Sequence, residues 1–219
     1  MIKYCIFDLD GTLLDTLKSI RYYLNNTLAA NGYRELTEDE CRRFIGDGAR
    51  MLVTRALAVS SETRPEVISR VLGEYNTAYD RDPYYLTEPY PGIIEALDVL
   101  SSHGITLCVL SNKPDSTARQ VVRRFFGDSF RLVRGGCDGV PLKPDPSAAV
   151  DMIACMGTDR SEVAFIGDTA VDIETGKRTG TALTLGVSWG FRDAEELVSA
   201  GADVIADTAD DLTRIIIGG

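Results

Sequence analysis

Five short apolar segments rich in strand-forming residues punctuate the chain, and what lies between them dictates the topology. They are Ile2–Phe7, Ile105–Leu110, Val163–Ile166, Ala182–Leu185 and Asp203–Ala206. None shows the strict polar alternation of a half-exposed strand, so each reads as a strand covered on both faces. The later ones are preceded by helix-like stretches, among them Ile93–Ser102, Ser116–Phe126 and Ser147–Met156, the last two opening behind Pro114-Asp115 and Pro146-Ser147. Strands alternating with helices predict an α/β protein built on a doubly wound, mostly parallel sheet.

The first interval breaks this rhythm. A parallel crossover needs roughly a dozen residues, yet about a hundred separate Phe7 from Ile105. Helical patterning fills the gap. A helix starting at Asp15 or Ser19 carries the stripe Ile20, Tyr23, Leu24 and Leu28 and ends at Asn31-Gly32. Thr37-Glu38-Asp39-Glu40 is a capping box for a second helix through Ile45, and Met51–Val59 and Pro65–Tyr79 give two more. Tyr22, Tyr23, Tyr75 and Tyr79 fall at helical spacings and read as packing between these helices. Residues 16–83 are therefore predicted to be an inserted all-helical cap domain, and residues 1–15 and 84–219 the core. Asp82-Pro83 and Glu88-Pro89-Tyr90-Pro91-Gly92 mark the return.

Composition narrows the partners. With 44% hydrophobic and 26% charged residues the chain is that of a folded globular protein. A net charge of -10 argues against nucleic acid or an anionic membrane surface as a partner, and an anionic substrate would need a local basic patch. No apolar run approaches the roughly 18–20 residues of a membrane span, and the first strand begins at Ile2 with no room for a signal peptide. Five scattered cysteines without Cys-x-x-Cys spacing suggest neither a disulfide framework nor a zinc site, and at least four are expected to be buried. The expectation is a cytoplasmic protein, monomeric or homodimeric.

The chemistry gathers at strand ends. Asp8 and Asp10, directly after the first strand, point to the same side in a regular strand. Two such charges raise one another's pKa unless a cation lies between them. Downstream come Ser111-Asn112-Lys113, Lys143-Pro144-Asp145-Pro146 and Gly167-Asp168-Thr169-Ala170-Val171-Asp172. Each is a weak signal alone: Asp-x-Asp is common in acidic chains, Ser-Asn can be helix capping, and Lys-Pro-Asp-Pro can be a loop. In an open parallel sheet, however, ligands bind outside the carboxyl ends of the strands, and that is where this order places them. His103, the one histidine, precedes the second strand and so falls at the opposite edge from Ser111, which removes a Ser-His-Asp arrangement. The stretches Gly135–Gly139 and Gly186–Gly190 match neither a P-loop nor a dinucleotide fingerprint and read as loops.

Taken together, Asp8-x-Asp10-Gly11-Thr12, Ser111-Asn112-Lys113, Lys143-Pro144 and Gly167-Asp168-x-x-x-Asp172 resemble the four motifs of the haloacid dehalogenase superfamily, in particular its capped phosphatases. Tyr90-Pro91-Gly92, Gly186-Val187-Ser188-Trp189-Gly190 and the helical insertion are similar to the phosphoglycolate phosphatase-like branch. The resemblance implies a Mg2+-dependent hydrolase of a small phosphate monoester that works through an aspartyl phosphate on Asp8, with Asp10 as general acid and base. Asp8, Asp168 and the main-chain carbonyl of Asp10 would hold the metal. Ser111, Asn112 and Lys143 would grip the phosphoryl group, Asp172 would steer Lys143 or the metal waters, and Thr12 would hold the turn behind Asp10. In the cap, Arg50, Arg43 and Gly46 would face the substrate, and Trp189 would sit near the domain junction. Phosphoglycolate is the favoured substrate, with a pyrophosphatase, a 5'-nucleotidase and a phosphosugar phosphatase or mutase as relatives sharing these motifs. An acid at Asp10 favours phosphoryl transfer over dehalogenation, because a departing halide needs no proton. A phosphorylated receiver module uses similar residues, but it is shorter, carries its Asp on a later strand and has no helical domain between its first two strands.

Overall fold

The computed structural model describes residues 1–218. Two compact units divide the chain, one comprising residues 1–15 and the chain from Pro89 onward, the other Thr16–Glu88. The strands are β1 (Tyr4–Phe7), β2 (Leu14–Asp15), β3 (Glu88–Pro89), β4 (Thr106–Pro114), β5 (Leu132–Gly136), β6 (Val163–Gly167), β7 (Leu183–Val187) and β8 (Val204–Ala206). Six of them form one sheet in the order β5-β4-β1-β6-β7-β8, with every neighbouring pair parallel. This is the doubly wound α/β core anticipated from the alternating pattern. β1 sits at its centre, where Phe7 pairs with Val109 on one side and Ile166 on the other. The first polar residue beyond it, Asp8, therefore emerges between the ends of β4 and β6, at the point where the strand order reverses.

The helices α5 (Ile93–Ser102), α6 (Asp115–Phe126), α7 (Ser147–Met156), α8 (Ala170–Thr179), α9 (Ala194–Ser199) and α10 (Ala209–Gly218) belong to this unit. One core cluster shows why the strand sequences lack alternation. Ala148, Ala149, Met152 and Ile153 of α7 pack on Ile6, Cys108, Leu110, Val163 and Phe165, while the intervening Cys5, Leu107, Val109, Ala164 and Ile166 are buried as well.

β5 is a strand that the sequence reading did not identify, leaving Leu132–Arg134 unassigned and placing Gly135 and Gly136 in a loop. Its Leu-Val-Arg-Gly-Gly composition is poor for a strand interior, and the glycines are there because the backbone of β4 comes too close for side chains. A Cβ on Gly135 would lie 2.6 Å from the Lys113 carbonyl oxygen and 2.4 Å from the Asp115 Cα. β4 is also longer than Ile105–Leu110. Its register shifts between Leu110, opposite Arg134, and Pro114, opposite Gly136, so Ser111–Lys113 form a bulge. Gly186 and Val187 likewise lie in β7 and not in a loop. Cys5, Cys41 and Cys108 are buried, but Cys137 and Cys155 are exposed, so fewer cysteines are core residues than expected.

The regular elements of the second unit are helices, apart from Glu88 at its end, which opens β3: α1 (Leu17–Ala30), α2 (Glu38–Phe44), α3 (Ala49–Ala58) and α4 (Pro65–Arg81). α1 buries Ile20, Leu24 and Leu28, and α2 opens on the expected capping box of Thr37 and Glu40. The rings of Tyr23, Tyr75 and Tyr79 pack in sequence between α1 and α4. No described helix is long and apolar enough to cross a membrane.

Candidate active site at the carboxyl ends of the sheet

Past β1, the chain turns tightly. The amides of Leu13 and Leu14 both donate to the Leu9 carbonyl at 3.0 Å, and Gly11 N donates to Leu14 O at 2.9 Å. Gly11 has φ +91°, and a Cβ there would stand 2.2 Å from Asp168 Oδ2, so the turn requires glycine on both counts. This loop presents Asp8 and Asp10 from one edge while α8 presents Asp172 from another.

Asp8, Asp168 and Asp172 are all buried, with carboxylate oxygens within 4.8 Å of one another. The single lysine placed against them is Lys143, whose Nζ lies 2.6 Å from Asp172 Oδ1 and 2.8 Å from Asp8 Oδ1. The Asp172 contact is a hydrogen bond. The Asp8 contact is an ion pair, in which the ammonium reaches the buried Asp8 Oδ1. Three carboxylates against one ammonium leave excess negative charge in a largely buried place. Burial, and after it the Asp172 charge, pushes the Asp8 carboxyl up to about 7 in spite of Lys143. Burial, then Asp172 and Asp8, raises Asp168 well above the ordinary carboxylate range. Burial alone would lower Lys143, but the Asp172 and Asp8 charges outweigh it and hold the ammonium above its ordinary value. Three buried carboxylates this close are a donor set that suits a hard divalent cation.

Each member is held from behind. Thr12 Oγ1 donates to Asp168 Oδ1 at 2.7 Å and Phe191 N to Oδ2 at 2.8 Å. Thr12 was expected to pin its own turn; its hydroxyl instead reaches the carboxylate that follows β6. Asp172 Oδ2 accepts from Thr169 N at 3.1 Å and Thr169 Oγ1 at 2.7 Å, which fixes it in the first turn of α8. Lys143 is clamped through its backbone: Asn112 Nδ2 donates to Lys143 O at 3.0 Å, and Lys143 N donates to Asn112 Oδ1 at 2.8 Å. Both ends of the Asn112 amide are thus engaged by the Lys143 main chain, which differs from the expected contact with phosphate. Ser111 is buried on the bulge, its Oγ accepting from Lys113 N at 3.2 Å.

Gly190 has no room for a side chain, since a Cβ would stand 2.4 Å from both Asp168 Cβ and Gly11 O. Gly190→Ala is expected to cost about 1–3 kcal/mol by overpacking, measured by denaturant unfolding. An unchanged midpoint would show that the loop yields freely. The neighbouring Trp189 donates from Nε1 to Thr12 O at 3.0 Å, closing this side of the site.

The remaining candidates fall outside this cluster. Arg43, Gly46 and Arg50 belong to the second unit, and both arginines are exposed. There Gly46 (φ +127°) and Gly48 (φ +84°) shape a loop held by Arg55, which pairs with Asp47 at 2.6 Å and donates to Phe44 O at 2.9 Å. His103 is exposed at the end of α5, with Nδ1 2.9 Å from Val99 O. Sequence reasoning gave Lys113 no role, yet its Nζ donates to both oxygens of Asp10, at 3.0 and 3.1 Å. Nothing in the sequence distinguishes that lysine from a solvated one, because the bulge that turns it inward depends on the glycines of β5.

The chain matches the haloacid dehalogenase-like hydrolase family over residues 5–185. It is 32% identical to phosphoglycolate phosphatase 1 of Pseudomonas aeruginosa, over 98% of this chain and 82% of that one. It is 34% identical to a phosphoglycolate phosphatase of Agrobacterium fabrum, over 92% and 87% respectively. A crystal structure from Lactobacillus delbrueckii subsp. bulgaricus superposes with a TM-score of 0.94 at 31% identity, covering 99% of both chains.

Proposed function

The chain belongs to the haloacid dehalogenase-like hydrolase family, and on that premise we propose that it is a Mg2+-dependent phosphatase of a small phosphate monoester, with phosphoglycolate as the favoured substrate. The observation that carries this reading is the cluster of Asp8, Asp168 and Asp172: three buried carboxylates within 4.8 Å of one another, with the Lys143 ammonium paired to Asp8 and Asp172. Such an excess of carboxylate suits a divalent cation.

Asp8 attacks the phosphoryl group, and Asp10 protonates the departing alkoxide. Asp10 then takes a proton from the water that hydrolyses the aspartyl phosphate. Lys143 and Ser111 stabilise the non-bridging oxygens, where charge develops. Asn112 acts by holding the backbone of Lys143, and Asp172 by orienting its ammonium. Asp8, Asp168 and the Asp10 carbonyl would hold Mg2+, with Thr12 fixing Asp168. The bound ion supplies Lewis-acid charge neutralisation that lets an anionic nucleophile approach an anionic ester. Arg50, Arg43 and Gly46 of the helical unit contribute the substrate contacts, with the arginines suited to a carboxylate.

The test is sustained phosphate release over a panel containing phosphoglycolate, other sugar and alkyl phosphates, nucleotides and pyrophosphate, with Mg2+ and with chelator. Many turnovers, lost on chelation and fastest on phosphoglycolate, are expected. One phosphoryl group per chain, stable for minutes, would instead favour a phosphorylation switch.

The same carboxylates predict how stability follows pH. Their folded pKa values lie above the unfolded ones, so without metal their contribution is fully present below the ordinary carboxylate range and is lost as pH rises through about 7, the Asp8 value. Mg2+ binds the ionised forms and should raise the melting temperature more at pH 8 than at pH 5. A Mg2+-induced shift that is equal at both pH values would contradict this.

A further inference from the structure

We propose that Lys113 is a positioning residue for Asp10, holding its carboxylate in the place from which the proton is transferred; this rests on the phosphatase reading above. The Lys113 side chain is only 6% exposed and that of Asp10 14%, so the pair is a sequestered contact and not a surface ion pair. Both Asp10 oxygens receive the ammonium, which fixes the carboxylate plane as well as its location. The backbone is built to deliver this lysine. The bulge at Ser111–Lys113 turns Lys113 out of regular register, its amide is pinned to Ser111 Oγ at 3.2 Å, and its carbonyl fits against Gly135, where a Cβ would clash at 2.6 Å.

Geometry also separates Lys113 from Lys143. Lys143 Nζ is paired to Asp8 and Asp172, whereas Lys113 Nζ is paired to Asp10. The two ammonium groups therefore serve the two halves of the reaction separately, Lys143 at the nucleophile and phosphoryl oxygens, Lys113 at the proton-transferring group. Asp10 lies in the tight turn just before Gly11, and Lys113 is the side chain that donates to its carboxylate among the described residues. Without Lys113 its carboxylate is free to rotate away from the leaving-group oxygen, and proton transfer depends on placement within a few tenths of an ångström.

The discriminating experiment compares leaving groups in single turnovers of Lys113→Met, Lys113→Arg and the unaltered chain, following release of the leaving group. An alkyl phosphate needs a proton on its departing oxygen; p-nitrophenyl phosphate hardly does. Lys113→Met is expected to slow the alkyl ester by about tenfold or more and p-nitrophenyl phosphate far less, with half-saturation little changed, and Lys113→Arg to recover part of the loss. Equal slowing of both esters, or weaker half-saturation with an unchanged rate, would overturn the assignment in favour of a structural or phosphate-binding role. A crystal structure of Lys113→Met keeps the inference decidable if the unaltered chain hydrolyses neither ester, which would refute the phosphatase reading itself. A displaced or disordered Asp10 carboxylate is expected, and one unmoved from its original position would overturn the inference whatever the activity.

Discussion

Asp8→Asn is expected to abolish turnover, by about 10⁴-fold or more, and at the same time to stabilise the metal-free protein above pH 7. The first effect follows from removing the nucleophile, which no neighbour replaces. Asp168 is tied by Thr12 and Phe191, and Asp172 by Thr169 and Lys143. The second follows from the cost of keeping a charge there: burial and Asp172 together outweigh the attraction of Lys143 for Asp8. An amide of the same shape removes that charge. Thermal unfolding without metal at pH 8 should show a higher midpoint for the variant, and the gain should vanish near pH 4, where the original carboxyl is already protonated. A lower midpoint at pH 8 would mean that the Lys143 attraction dominates.

Lys143→Met should produce losses of both kinds. Its aliphatic stem is approximately preserved, so packing is disturbed little, but Asp8 and Asp172 lose the ammonium that lies 2.8 and 2.6 Å away. Removing one partner of a buried ion pair typically costs about 3–5 kcal/mol, because the other is left uncompensated. The penalty should be greatest at pH 8 and smaller at pH 5, as protonation offers Asp8 another way to lose charge. Lost packing alone would give the same penalty at both. Activity should fall by about 10²-fold or more, since positive charge at the non-bridging oxygens is removed. Denaturant unfolding at the two pH values, without metal, reads the stability effect. A variant as stable as the unaltered chain at pH 8 would show that Lys143 does not neutralise this cluster.

Much of this architecture could be read from residue patterns. β1, β6 and β7 are mainly apolar runs largely buried on both faces, while β8, at the sheet edge, is only half-buried, and α5 and α7 have the bounds that their periodicity predicts. Asp8 and Asp168 converge because the order of strands places the carboxyl ends of β1 and β6 side by side, and the loop before α7 brings Lys143 to them. What escaped the sequence depends on contacts between distant segments. β5 contains two glycines that disfavour a strand locally, and they are accommodated only because β4 bulges against them. The partners of Thr12, Asn112 and Lys113 lie 156, 31 and 103 residues away along the chain, beyond the reach of spacing arguments. A motif identifies which side chains meet; it does not say which of them touch substrate and which hold another in place.

The most direct test of the account is acid quenching of the protein during turnover of phosphoglycolate with Mg2+, followed by peptide mass spectrometry. The account predicts a phosphoryl group on the peptide containing Asp8, formed and lost within the turnover time and absent from Asp8→Asn. Sustained hydrolysis with no phosphorylated peptide at any quench time, or phosphorylation that persists in Asp8→Asn, would contradict it.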